Sequence, residues 1–390
     1  MSSALIIRLF YYVLSPVGDQ DALLYADDLL ATAGTKQEIV DLGAMLLIWE
    51  ALGTPWKWRK FRGGFSNSWI GYWVDFDKYE IGISETRAAW IIGWIAKALK
   101  AGSVEMADFR AVLGRIGFAV GALDFLKPFL SPLYAWQCSV DHLGKMTLPW
   151  SVSFILKYIS EELRTGRRCM RIRPRLPSLG PVFRADAKAA GQTVAIGGWE
   201  CRGGIPPAKA RWFAVSLDRG NAPWAFSRGE PFRTIAAIEL FASLISFMLF
   251  AGSEKGGEKG ILNLSGLTDN SGNTSALTKL MSPKFPLIVI MTELAAQLQA
   301  KEAELDLLWI PRNQNEEADG LTNGDFSQFD LKRRIVVDVA KLEFKILPKM
   351  IAAADDLYKE AKQNKESSKA AAPAKKYAKI RPLRERDPWI

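Results

Sequence analysis

Cysteine and histidine are the scarce residues of this chain. Cys138, Cys169 and Cys201 are spread over 390 residues with no CxxC pair. That excludes a disulfide-stapled scaffold and a thiolate zinc module, and it predicts a reducing compartment, nucleus or cytoplasm, rather than secretion. His142 is the one histidine. Histidine-ligated metal clusters are therefore excluded, and every Ser-His-Asp or Cys-His arrangement would depend on that single residue. Any metal must be held by oxygen ligands, which favours Mg²⁺ or Mn²⁺. Long charge-free apolar runs are missing too. Ser3 to Val17 contains Arg8 and has no small-residue cleavage site, and Ile235 to Phe250 is shorter than a bilayer span and contains Glu239. Both are read as buried elements, with no membrane partner.

What is abundant points elsewhere. The net charge is +9, which favours a polyanionic partner such as nucleic acid. Residues 360–390 hold nine of the basic and four of the acidic residues, so about half of the excess sits in a Lys/Ala/Ser/Pro-rich tail expected to be disordered. Fourteen tryptophans supply core packing or stacking surfaces for bases. The length allows two or three domains.

Texture divides the chain. Residues 21–32 read as strand, tight acidic turn, strand. Lys36 to Leu52 has helical spacing, ended by Gly53-Thr54-Pro55. "SWIGYWVDFDKYEIGIS" reads as a hairpin. Glu85 to Ile159 is helical, with breaks expected at Gly102, Lys127-Pro128 and Ser131-Pro132. "RTGRRCMRIRPRLPSLGP" (164–181) is the linker candidate. Beyond it, three strand-like runs, a helix over 235–250, a strand in "ILNLSGLTDN", helices over 274–281 and 287–303, and a strand in "LDLLWIP" describe a mixed α/β layer domain.

Asp27 and Asp28 stand between Leu24-Tyr25 and Leu29-Leu30. Unpaired carboxylates are costly to bury, so a turn must lift them to a sheet rim, where they form an ordinary Asx turn or ligate a divalent cation. "YADDLL" resembles the Tyr-X-Asp-Asp motif of reverse transcriptases. "ALGTPWKWRKFRGG" resembles that family's Leu-Gly…Trp-X-Lys segment, the hairpin above its primer grip, and "FRAVLGRIGFAVGALDFLKPFLSPLY" the helical thumb and connection of DIRS-like and LTR retroelements. The resemblance implies polymerase-like metal ligands at Asp27 and Asp28. It also implies a truncated polymerase, because only 26 residues precede Asp27 and the fingers and first metal-binding Asp have no counterpart. No DNA synthesis is expected of this chain alone.

A second set of acids lies downstream. Asp186 sits in "VFRADAKA", Glu239 in an otherwise apolar helix with Ala242, Ser243 and Ser246 on its face, Asp269 at the end of an apolar strand, and Asp319 in "NQNEEADGLT". Carboxylates at strand ends and on a facing helix can converge on one crevice. There they would repel one another unless cations neutralised them, and two divalent ions would make a hydrolase site. Taken singly, each Asp is equally a turn or cap residue. The order of the four acids, the element order, "GLTDNSGN" and "WIPRNQNEEADGLT" resemble the ribonuclease H domain of retroelements. That resemblance implies Asp186, Glu239, Asp269 and Asp319 as catalytic metal ligands, and cleavage of RNA in an RNA–DNA hybrid. The chain departs from many members in having no histidine before Asp319.

The fold class implied is α/β (α+β). Residues 1–84 would form a partial reverse-transcriptase palm, 85–163 a helical thumb or connection, 164–181 a basic linker, 182–330 an RNase H-like mixed sheet with flanking helices, 331–359 a helical extension and 360–390 the tail. Nucleic-acid contacts are assigned to Trp56, Lys57, Trp58, Arg59, Lys60 and Arg62, where cations alternate with rings, to Arg164, Arg167 and Arg168, and to Asn270. The partners implied are an RNA–DNA hybrid or other single-stranded or duplex nucleic acid, and another chain of a polyprotein or a second copy. The alternative is a non-catalytic, domesticated nucleic-acid-binding remnant.

Overall fold

A computed structural model describes residues 21–25, 28–53, 56–140, 144–178, 180–252, 256, 260–282, 284–352 and 389. The backbone divides into two compact units, residues up to 85 with 169–172, and 86–168 with 173 onward.

In unit 1, β1 (Asp21–Tyr25) and β2 (Asp28–Thr32) pair antiparallel with Tyr25 opposite Asp28. Helix α1 (Lys36–Ala51) starts at a capping box. The Glu38 amide donates to Thr35 Oγ1 at 3.2 Å, and the Thr35 amide donates to the Glu38 carboxylate at 3.0 Å. Two otherwise unpaired amides are settled by side chains four residues apart or less. Met45 and Trp49 of α1 are buried against Leu29, Ala31 and Trp56. The stretch expected as one hairpin is a three-stranded meander of β3 (Ser66–Trp69), β4 (Tyr72–Asp75) and β5 (Glu80–Gly82). Ile70 and Gly71, both at positive φ, form the β3–β4 turn, whose twist matches that of the strands.

The basic segment 164–181 is not the free linker that its composition predicts. Cys169–Arg171 forms β8, paired antiparallel with β5. Arg173 and Arg175 are ion-paired with Glu302 and Glu304 of unit 2 at 2.9 and 2.5 Å. Strand pairing and acidic partners distant in sequence overrode a local pattern of Arg and Pro.

Unit 2 begins with α2 (Glu85–Ala101), α3 (Met106–Val120), α4 (Lys127–Val140) and α5 (Trp150–Arg164), with a small pair of strands, β6 (Ser103–Glu105) and β7 (Lys145–Thr147). Pro132 lies inside α4 rather than breaking it. The carbonyl its missing amide would have met belongs to Pro128 in the first turn, so a single bond near the helix start is lost. A five-stranded sheet follows, in the order β11-β10-β9-β12-β13. The strands are β9 (Pro181–Ala190), β10 (Thr193–Glu200), β11 (Trp212–Leu217), β12 (Leu262–Thr268) and β13 (Ala303–Trp309). β10 pairs antiparallel with both β9 and β11, while β12 runs parallel to both β9 and β13. Helices α6 (Ile235–Phe250), α7 (Ser271–Lys279), α8 (Leu287–Lys301) and α9 (Glu316–Asn323) flank it. This is the mixed sheet with flanking helices expected for the second half. Helices 85–163, expected as a separate module, belong to the same compact unit, with α4 packed on α8.

Helix α6 is covered by β9 and β10 on one side and α8 on another, so it is apolar all round. Pro231–Phe250 is long and apolar enough to cross a membrane; its Leu240, Phe241, Leu244, Ile245 and Phe250 are fully buried in the core. Glycines set how closely helices approach the sheet. A Cβ at Gly198 would overlap Ser246 Oγ of α6, and one at Gly197 would lie 2.7 Å from Leu321 Cβ of α9. Successive strand residues face opposite sides, so α6 and α9 clamp β10 from both faces.

Of the helical extension expected over 331–359, residues 347–352 are helical, while 331–346 run as an irregular strap that meets the β11 edge at 334–335. The Ile335 amide donates to the Trp212 carbonyl at 2.7 Å, and Trp212 Nε1 donates to the Asp330 carbonyl at 2.9 Å. Covering an open edge satisfies its backbone groups. The strap ends on Glu293 of α8, which is fully buried. Its carboxylate accepts the amides of Lys345, Ile346 and Leu347 at 2.8–2.9 Å. Except for Trp389, the expected tail lies outside the described residues.

Candidate metal centre

Asp186 projects from the middle of β9 and is 5% exposed. Thr322 of α9 donates its hydroxyl to Asp186 Oδ2 at 3.1 Å. Glu239 comes from α6, four residues before Ser243, whose hydroxyl bonds back to the Glu239 carbonyl at 3.2 Å. Asp269 follows β12 directly, and Asn270 then caps α7 by accepting the Asn273 amide at 3.1 Å. Three elements thus deliver three carboxylates to one place. One oxygen from each of Asp186, Glu239 and Asp269 lies within 4.8 Å of the others.

Asp186 and Glu239 are both disfavoured as anions there. Burial first, then the Asp269 charge, push the Asp186 carboxyl up to about 7, with Asp319 adding to the rise and the Thr322 hydroxyl opposing it. Burial first, then the charges of Asp186 and Asp269, push Glu239 up to about 8, against hydrogen bonds from Asn270 and Thr268. Glu239 Oε2 and Asp269 Oδ1 are buried and have no hydrogen-bond partner. Buried polar atoms left unpaired are uncommon and call for a reason. Oxygen ligands alone, with like charges crowded around unpaired lone pairs, fit a hard divalent cation.

Of the four acids expected to share a site, the structure groups three. Asp319, in the first turn of α9, is outside the group of three. It is ion-paired with Arg312, and its Oδ2 accepts a hydrogen bond from Asn323 Nδ2 at 2.8 Å. Its charge still reaches Asp186. Asp28 is exposed at the start of β2 and joins no such cluster among the described residues. Asp27 lies outside them.

The basic loop divides. Trp56 is half-buried and stacked on Trp49, 5.7 Å between centroids, so it is core. Lys57, Trp58, Arg59, Lys60 and Arg62 are exposed, with Trp58 beside Phe61. Arg164 and Arg167 are exposed and ion-paired with Glu161 and Glu162, while Arg168 is half-buried. Two residues near the acids escaped sequence reasoning, Thr322 and Trp309, whose indole N–H donates to the Asp269 carbonyl at 3.0 Å; Asn273, expected at the helix cap, instead bonds the Ala236 carbonyl of α6, and the cap is Asn270. Thr322 and Trp309 lie in the quoted closing segment, but nothing local distinguishes a ring or hydroxyl that meets an acid brought from elsewhere.

No protein-family description matches the chain, and no curated protein does. Among solved structures, RNase H1 of the archaeon Halobacterium salinarum NRC-1 is 16% identical, covering 40% of this chain and 98% of its own, with a TM-score of 0.26. The foamy viral protease-reverse transcriptase, solved with an RNA/DNA hybrid, is 13% identical over 78% of this chain and 37% of its own, TM-score 0.33. The N-terminal RNase H domain of a Mycobacterium tuberculosis protein, solved as a maltose-binding-protein fusion, is 18% identical over 37% of this chain and 91% of its own, TM-score 0.24. By its own element order and strand directions, unit 2 is a mixed α/β fold, a five-stranded mixed sheet with flanking helices.

Proposed function

We propose that unit 2 is a ribonuclease H-type hydrolase that cleaves the RNA strand of RNA–DNA hybrids, with Mg²⁺ or Mn²⁺ as cofactor. The observation that carries this reading is the convergence of Asp186, Glu239 and Asp269, with two buried carboxylate oxygens left unpaired. These three residues would hold the cation. When bound, it supplies activation of an attacking water and neutralisation of charge at the phosphodiester. Without a cation, burial and neighbouring charges raise the Asp186 and Glu239 carboxyls, so binding of the cation would release their protons. Thr322 orients Asp186 through its hydroxyl. Asp319 is assigned as the fourth carboxylate of a two-cation site, released from Arg312 when the site fills. Choice of hybrid over DNA duplex would rest on 2′-hydroxyl contacts and groove shape.

We assign unit 1 a retroelement reverse-transcriptase origin on the order of its motifs, with its exposed basic loop as a nucleic-acid contact. The Arg312–Asp319 ion pair favours a second reading, in which the chain binds hybrids without cutting them. One experiment separates the two. The full chain is incubated with Mg²⁺ and an end-labelled RNA–DNA hybrid, alongside Asp269→Asn and Glu239→Gln. The first reading requires cleavage by the unmutated chain and its loss in both variants. Binding with no cleavage by the unmutated chain refutes it in favour of the second.

A further inference from the structure

We infer that Asn273 is a positioning residue for the acidic cluster: it ties the start of α6 to the β12–α7 turn and so sets where Glu239 stands relative to Asp269. The inference deepens the proposed function and rests on it. Asn273 lies in the first turn of α7 and is 0% exposed. Its Nδ2 donates to the Ala236 carbonyl of α6 at 2.9 Å. Ala236 precedes Glu239 by three residues, so the two share a helix face. On its other side Asn273 is fixed to the acid-bearing turn. Its amide donates to Asn270 Oδ1 at 3.1 Å, and the Asn270 amide donates to Thr268 Oγ1 at 3.2 Å. Thr268 and Asn270 flank Asp269 in the chain. The hydrogen-bonded series Ala236, Asn273, Asn270 and Thr268 therefore joins the helix that carries Glu239 to the turn that carries Asp269, elements about thirty positions apart.

Two features separate this from ordinary packing. Asn273 Oδ1 is buried with no partner, a cost that an apolar residue of similar size would avoid. What Asn273 offers in return is the single donor bond to α6. The tie also opposes a specific force. Three carboxylates in one pocket repel one another once ionised, and a slide of the first turn of α6 away from the end of β12 would relieve that repulsion. A tether there keeps the ligand oxygens within sharing distance while the cation is absent.

The test uses Mn²⁺ as probe, titrated into the full chain and read by electron paramagnetic resonance, with folding checked by circular dichroism. Asn273→Ala and Asn273→Ser are compared with Leu277→Ala. The Ser hydroxyl is too short to reach the Ala236 carbonyl. Leu277 is buried on the same helix but has no bond to the network, so its truncation destabilises α7 without cutting the tie. Both Asn273 variants are expected to raise the Mn²⁺ dissociation constant by roughly 10- to 100-fold, the usual range for a group that orients metal ligands, while Leu277→Ala leaves it unchanged. Unaltered affinity in the Asn273 variants, or an equal loss in Leu277→Ala, overturns the inference. Unfolding of both Asn273 variants marks the residue as a stability element and overturns it as well. Failure of the unmutated chain to bind Mn²⁺ is a distinct result: it removes the metal site itself and the proposed function with it.

Discussion

Crowding two buried carboxyls near a third has a consequence that can be measured without substrate. In the folded chain Asp186 titrates at about 7 against an ordinary 3.8, and Glu239 at about 8 against 4.5. Unfolding returns both to their ordinary values. Between pH 4 and 8 the folded chain holds protons that the unfolded chain has released, so the stability of the metal-free chain falls as pH rises. It is fully present below about pH 4 and is lost once pH passes the folded values. Each pKa unit corresponds to about 1.4 kcal/mol, so roughly three units per group give ~4 kcal/mol for either one alone. Part of the Glu239 rise is the Asp186 charge, so the two groups lose their stabilisation as a coupled pair. Glu239→Gln removes one titrating group. It should therefore cut this loss by roughly half and make the metal-free chain more stable than the unmutated one at pH 8. The assay is urea unfolding at pH 5, 6.5 and 8 in EDTA, repeated with excess Mg²⁺. The cation should stabilise the unmutated chain most at pH 8, by RT ln(1 + [L]/Kd), and leave Glu239→Gln nearly unchanged. A metal-free chain as stable at pH 8 as at pH 5, or a variant with the same pH slope, would refute the claim that these acids repel one another in one pocket.

Three further outcomes test the frame around the site. Gly198→Ala would drive a methyl into Ser246 Oγ and place it 2.9 Å from the Phe213 ring. It should cost about 1–3 kcal/mol in urea unfolding as α6 is pushed off the sheet. Glu293→Ala would strip three amides of their acceptor. At about 1–3 kcal/mol for each buried unpaired group, it should destabilise unit 2 severely and speed hydrogen exchange over 345–352, whereas Glu293→Gln should do so less. Neutralising Lys57, Arg59, Lys60 and Arg62, all exposed, should flatten the log–log salt dependence of hybrid binding by about 0.7–0.9 for each phosphate that is no longer neutralised. An unchanged slope would remove the loop from the interface.

The acids were legible because context, not residue type, singled them out. Glu239 is the one charge in an apolar helix, and Asp269 ends an apolar strand and precedes a cap, so each sits where burial would be costly without a purpose. Asp319 was legible only in part. Its spacing was plain, but its pairing with Arg312 and Asn323 depends on rotamers in a turn. The basic segment misled because Arg and Pro mark loops only on average. Arg173 and Arg175 find acids that lie more than a hundred residues on. The strap over 331–346 misled because Leu331, Ile335, Val339, Leu342 and Ile346 fall at helical spacing, while the free edge of β11 takes its backbone at Ile335.

Local chemistry therefore determined most strands and helices of the sheet domain, and which acids stand apart from their surroundings, because periodicity, caps and burial cost act over a few residues. Tertiary structure alone decided that three of those acids share a pocket, that Thr322 bonds Asp186 and Asn273 bonds the helix of Glu239, and that the helices before the sheet belong to the same compact unit. Those facts depend on distances between elements that are far apart along the chain. Such distances are set by how closely glycines let helices and sheet approach, a property of the packed whole.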